Sequence, residues 1–99
     1  MADRFGAFTA SLRDGQAPPA SADAALEALW WGAKGNWERA HGIVAEREGE
    51  RNCDRVHAWL HRVEGDDANA RYWYRRAGLP AATGTTDAEW REIVTALLA

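Results

Sequence analysis

Apolar residues recur every three or four positions along nearly the whole chain, which is the period of an α-helix. Strand-like alternation does not persist beyond a few residues. Six apolar stripes run from Phe5 to Leu12, Ala22 to Trp30, Trp37 to Val44, Cys53 to Val63, Ala70 to Ala77 and Trp90 to Leu98. We therefore predict an all-α fold of about six helices without a sheet.

Residues that stop or cap helices separate these stripes. Asn36 and either Asp66 or Asp67 are predicted to cap the third and fifth helices, and Thr86-Asp87-Ala88-Glu89 has the spacing of a capping box before the sixth. The other signals are Asp14-Gly15 and the linker 16–20, Ser21 or Asp23, Gly49 followed by Arg51 or Asn52, and Gly78-Leu79-Pro80. Because the breaks at Gly35 and Gly65 are very short, they predict two antiparallel helix hairpins.

The chain has 99 residues, which is room for a single domain, 1–99. Six tryptophans in this length are expected mainly in the core, because a bulky ring buries much area from one position. A net charge of −3 makes nucleic acid an unlikely partner, and no apolar run is long enough to cross a membrane. The single cysteine, Cys53, favours a cytoplasmic location.

Two segments share a Gly-[Asn/Asp]-x-x-x-Ala frame, Gly35 to Ala40 and Gly65 to Ala70. In this frame the sequence resembles the tetratricopeptide and Sel1-type helical repeats, which place such a turn between paired helices. The resemblance implies stacked antiparallel hairpins over about 22–80, closed by an N-terminal helix and a C-terminal capping helix at about 86–98. Segments 57–66 and 69–78 also resemble a small helical protein family of bacteria and fungi that has no assigned activity.

Asp54, His57 and His61 fall on one face of the predicted fourth helix. Two histidines four residues apart can bind one metal ion, and Asp54 can add a third ligand or orient His57. The alternative is that the histidines form hydrogen bonds at the edge of a helix interface. The motif lacks the internal glutamate of the zinc hydrolases.

Two further patterns have a chemical and a structural interpretation. Cys53 and His57 have the spacing of a nucleophile and its base, although Cys53 belongs to an apolar stripe and is expected to be a small core residue. The fifth helix carries basic residues beside an aromatic one, which is typical of nucleic-acid binding but also of ion pairs with a neighbouring helix. These residues are Arg71, Tyr72, Arg75 and Arg76.

No phosphate-binding glycine loop, nucleophile elbow or paired-cysteine motif is present, so we expect no cofactor and no catalytic residue. The leading hypothesis is a non-enzymatic interaction module that binds a protein partner or a second copy of itself. Its predicted binding groove lies between the fourth and fifth helices, lined by His57, His61, Tyr72, Trp73 and Arg75. The alternative is a small metal-binding protein or enzyme that uses Asp54, His57 and His61.

Overall fold

The computed structural model describes residues 3–99 of the chain. It contains six α-helices, and this part of the chain holds no strand: α1 Arg4–Asp14, α2 Ala24–Ala33, α3 Trp37–Ala45, α4 Arg51–Val63, α5 Asp67–Ala77 and α6 Thr86–Leu98. The all-α prediction of about six helices is confirmed. None of the helices within 3–99 has the length and apolar character needed to span a membrane.

The helices α2 and α3 form one hairpin and α4 and α5 form another, joined by turns of the same geometry. Gly35 has φ 84° and Gly65 has φ 85°, a left-handed conformation that glycine adopts without strain. The following residue, Asn36 or Asp66, caps the next helix by accepting a hydrogen bond from the backbone N–H three residues on. The shared Gly-[Asn/Asp] frame therefore builds the same short turn twice, as the sequence predicted.

The N-terminus of α6 differs from the predicted capping box. Thr85, one residue earlier than expected, is the cap, and its side chain accepts a hydrogen bond from the Ala88 backbone N–H. Glu89 does not reach back to the cap, because it is 2% exposed and binds two side chains from other helices. The capping-box prediction was wrong because the Glu89 carboxylate accepts hydrogen bonds from Arg62 and Tyr74 instead of from the backbone N–H of the cap residue.

Tryptophan side chains link the helices of the core. Trp30, Trp59, Trp73 and Trp90 are buried. The indole N–H of Trp59 donates to the Thr86 carbonyl and that of Trp90 to the Leu29 carbonyl, so α6 is held to both α4 and α2. In addition, α1 lies against α6, where Phe5 and Phe8 contact Trp90 at ring distances of 6.3 and 6.1 Å. The terminal helices thus cover the core of the hairpins while packing on one another.

Candidate functional site

Three histidine rings meet where α3 crosses α4. His57 and His61 lie one turn apart on α4 and are 3% and 5% exposed, and half-buried His41 reaches them from α3. The Nε2 atoms of His41 and His57 are 3.0 Å apart. One ring nitrogen from each of the three histidines lies within 4.8 Å of the others. The structure therefore gathers every histidine of the chain into one cluster, which we call the histidine cluster.

His41 was not predicted to belong to this site. A sequence does not show which face of α3 meets α4, so His41 was not paired with His57 and His61. A usable signal was present: Trp37 and His41 are four residues apart and share a face of α3. The indole N–H of Trp37 donates to the Leu60 carbonyl at 2.7 Å, which sets this face against α4.

Two tryptophans enclose the histidine cluster. The Trp37 ring stacks on His41 at 4.7 Å with an interplanar angle of 9°. The Trp73 ring, from α5, stacks on His57 at 3.8 Å with an angle of 13°. These flat contacts fix the planes of His41 and His57, so the Nε2 atom of each ring faces the other imidazole rather than an indole.

Burial keeps two of the imidazoles neutral. Desolvation lowers the pKa of His57 to about 3, helped by the neighbouring His41 and His61. Desolvation and then His61 also lower the pKa of His41, against the opposing effect of Glu64. His61 Nδ1 instead lies 2.6 Å from a carboxylate oxygen of the exposed Glu64, the geometry of a ring N–H donating to that oxygen. At neutral pH His41 and His57 therefore carry nitrogen lone pairs.

Asp54 does not join the predicted metal-ligand set with His57 and His61. Its carboxylate is 1% exposed and accepts from the backbone N–H of Gly49, with both oxygens at 3.2 Å. The reason is directional: a helical side chain leans toward the N-terminus, so Asp54 covers the loop before α4 while His57 and His61 face α3. The third side chain beside His57 and His61 is therefore His41 rather than the predicted Asp54.

The predicted groove between α4 and α5 is closed. His57 and Trp73 stack face to face within it, and buried His61 faces His41 on α3, so none of the three lines an opening. Only Tyr72 and Arg75 of the predicted lining are exposed, and both lie on the outer side of α5. The prediction of a groove was wrong because aromatic stacking removes the space between the two helices.

The exposed side of α5 is basic and aromatic. Tyr72 is 39% exposed, and its hydroxyl accepts from Arg76 Nη1 at 2.9 Å. The Arg76 guanidinium lies 5.8 Å from the Tyr72 ring centroid and 5.4 Å from that of Trp73. Within residues 3–99, Arg71, Arg75 and Arg76 form no salt bridge. We call these three arginines with Tyr72 the α5 outer face.

Cys53 does not form a nucleophile pair with His57. Its thiol donates to a Glu50 carboxylate oxygen at 3.3 Å, and His57 Nε2 meets His41 instead. Desolvation, followed by the Glu50 hydrogen bond, raises the pKa of the Cys53 thiol to about 12. A thiol in this state is not a nucleophile at neutral pH. The geometry therefore supports the interpretation of Cys53 as a small core residue.

A second buried polar group lies where α4, α5 and α6 meet, and sequence reasoning missed it. Glu89 accepts from Arg62 Nη1 at 2.6 Å and from the Tyr74 hydroxyl at 2.5 Å. Arg62 also donates to the Gly84 carbonyl, which holds the loop between α5 and α6. All members of this trio are partnered within the protein.

The chain was compared with protein families, curated proteins and solved structures. No protein-family model, no curated protein and no solved structure matches it. The geometry of the histidine cluster and of the α5 outer face is therefore the basis for assigning a function.

Proposed function

We propose that the chain is a non-enzymatic helical interaction module and that the α5 outer face binds an acidic segment of a protein partner. The observation that carries the proposal is the concentration of Arg71, Tyr72, Arg75 and Arg76 on one exposed helix face without salt bridges. Arginine and tyrosine are over-represented among the residues that dominate binding energy at protein interfaces.

The support beneath this face favours binding without rearrangement. Trp73, on the inner side of α5, is stacked on His57, and Ala70 and Tyr74 are buried beside it. A helix anchored along its inner side presents its outer side chains at fixed spacing, which lowers the entropy lost on binding. The proposed resemblance to tetratricopeptide and Sel1-type repeats agrees with this role, since such repeat folds are frequently scaffolds, and we keep the cytoplasm as the proposed location.

Charge decides which partner is proposed. The chain is acidic overall, with a net charge of −3, which opposes binding to a long phosphate backbone. A short acidic protein segment meets only the local positive charge of the α5 outer face. A second copy of the chain is the other occupant consistent with this chemistry, because the exposed residues Glu46, Glu48 and Glu50 lie together in the segment from the end of α3 to the start of α4.

The proposal is tested with two variants of equal net charge. Arg71→Gln/Arg75→Gln neutralises the α5 outer face, and Arg13→Gln/Arg51→Gln neutralises two exposed arginines on α1 and α4. Each is immobilised beside the wild-type chain, and proteins retained from a cell extract are quantified by mass spectrometry. We expect the wild type and the control variant to retain one or more acidic proteins in equal amounts. The Arg71→Gln/Arg75→Gln variant should retain at least about tenfold less of the same proteins. Salt at about 0.5 M should weaken the same contacts, because it screens exposed charges.

Sedimentation of the three purified proteins identifies self-association. A dimer that only the Arg71→Gln/Arg75→Gln variant loses would make the partner a second copy. If the chain stays monomeric and no retained protein distinguishes the face variant from its control, the interaction proposal is wrong.

A further inference from the structure

The histidine cluster has the composition and spacing of a metal-binding site. In a tetrahedral site with metal–nitrogen distances of about 2.0–2.1 Å, two ligand nitrogens lie roughly 3.3–3.4 Å apart. The Nε2 atoms of His41 and His57 are 3.0 Å apart, and all three ring nitrogens lie within 4.8 Å of one another. Small side-chain rotations about the existing contacts would bring the three to one ion.

The groups around the cluster match what such an ion requires. Ligating imidazoles must be neutral, and His57, at 3% exposed, and half-buried His41 lie where burial disfavours a charged ring. The Nδ1 atom of His61 is bound to Glu64, an arrangement in which an outer carboxylate orients a ligating histidine through its other nitrogen. Trp37 and Trp73 hold the planes of His41 and His57.

Hydrogen bonds within the protein use only part of the polar capacity of the three rings. The only ring-to-ring hydrogen bond in the described residues joins the Nε2 atoms of His41 and His57. His57 Nδ1 is buried without a hydrogen-bond partner, so the polar contact of this ring is made by Nε2, inside the cluster. An ion coordinated at Nε2 would replace this single ring-to-ring hydrogen bond with metal–nitrogen bonds to both His41 and His57, while Nδ1 keeps no partner with or without the ion.

We propose that His41, His57 and His61 bind one divalent transition-metal ion of the zinc class through one ring nitrogen each. Imidazole ligands without a thiolate suit Zn²⁺ and Cu²⁺, and Cys53 is directed to Glu50 instead. Three protein ligands leave a coordination position for an exchangeable water or anion. The site is separate from the α5 outer face, so the two proposals fail independently.

The test is a zinc titration of the full-length chain without an affinity tag, by competition with a chromophoric chelator. We expect one Zn²⁺ per chain. His41→Gln and His57→Phe should each weaken binding by at least about 100-fold, and Glu64→Gln by about 10- to 100-fold through the loss of ring orientation. His57→Phe keeps a flat ring against Trp73, and Glu64 is exposed, so at least one variant is expected to fold normally by circular dichroism.

Three controls distinguish this site from its alternatives. Asp54→Asn should bind zinc like the wild type. The ligand set predicted from sequence, Asp54 with His57 and His61, would instead lose zinc binding in this variant. Asp66→Asn should also bind zinc like the wild type; a loss would instead assign the ion to buried His61 with exposed Glu64 and Asp66, whose ligand atoms also lie within 4.8 Å of one another. Arg71→Gln/Arg75→Gln should leave zinc binding unchanged. The proposal is overturned if the wild type binds no zinc at micromolar concentration, or if His41→Gln binds as tightly as the wild type.

Discussion

Removing the Arg62 guanidinium should destabilise the protein more than removing the charge of Glu89 or the hydroxyl of Tyr74. Glu89 is 2% exposed, and its carboxylate depends on Arg62 and Tyr74 for all of its described side-chain partners. Arg62→Met keeps the length of the side chain but leaves a buried charge with a single hydroxyl donor. Breaking a buried ion pair in this way typically costs about 3–5 kcal/mol, a large part of the 5–15 kcal/mol that stabilises an ordinary domain.

The opposite deletion should be milder because the partners differ in exposure. The Arg62 side chain is 15% exposed and the Glu89 side chain 2%. In Glu89→Gln the guanidinium can move toward water, and the amide still accepts one hydrogen bond, so we expect a loss of about 1–3 kcal/mol. Tyr74→Phe removes one hydrogen bond to a charged acceptor and should cost about 1.5–3 kcal/mol.

Urea denaturation and thermal denaturation, each followed by circular dichroism, measure these differences. For a domain of this size each kcal/mol corresponds to about 4–8 °C in Tm, so Arg62→Met should melt at least about 12 °C below the wild type. The double variant Arg62→Met/Glu89→Leu should recover part of that loss, because no charge is left buried. The reasoning is refuted if Arg62→Met costs less than Glu89→Gln, or if Arg62→Met/Glu89→Leu loses as much stability as Arg62→Met and Glu89→Leu lose in sum.

Three further predictions follow from other contacts. Gly32→Ala places a Cβ 2.7 Å from Trp59 and should lower the free energy of unfolding by about 1–3 kcal/mol in urea titrations. Gly42→Ala has open space around its Cβ and should raise the free energy of unfolding by about 0.5–1 kcal/mol; equal effects of the two variants would contradict the packing. The folded-state pKa of His57 lies below its unfolded value, so the free energy of unfolding is greatest above pH 6.5 and falls as the pH drops. Urea titrations should show a loss of about 2 kcal/mol at pH 5, and His57→Phe should make this loss smaller. Iodoacetamide should alkylate Cys53 at pH 8 only as fast as the protein unfolds, and labelling at the rate of a free thiol would show that its surroundings are open.

The helix hairpins could be predicted from sequence because their determinants are local. Gly65 releases the backbone and Asp66 caps α5 within the same two residues, so neither needs information from elsewhere in the chain. Glu89 shows the limit of such reasoning: three residues after a threonine it fits a capping box, but Arg62 and Tyr74 determine its position. His41 was missed for the same reason, since its partners on α4 are 16 and 20 positions away in sequence.

The two buried polar groups that share α4 differ in how completely they are satisfied. In the trio of Arg62, Tyr74 and Glu89, the charges are paired and the hydroxyl is bonded, so the group needs nothing from outside. The histidine cluster has one bond between rings and an unpartnered Nδ1 on His57. A domain of 99 residues has little stability to spare for unsatisfied polar groups. The packing of the cluster must therefore offset one unsatisfied polar group, and the zinc titration shows whether metal–nitrogen bonds at the inward nitrogens supply that compensation.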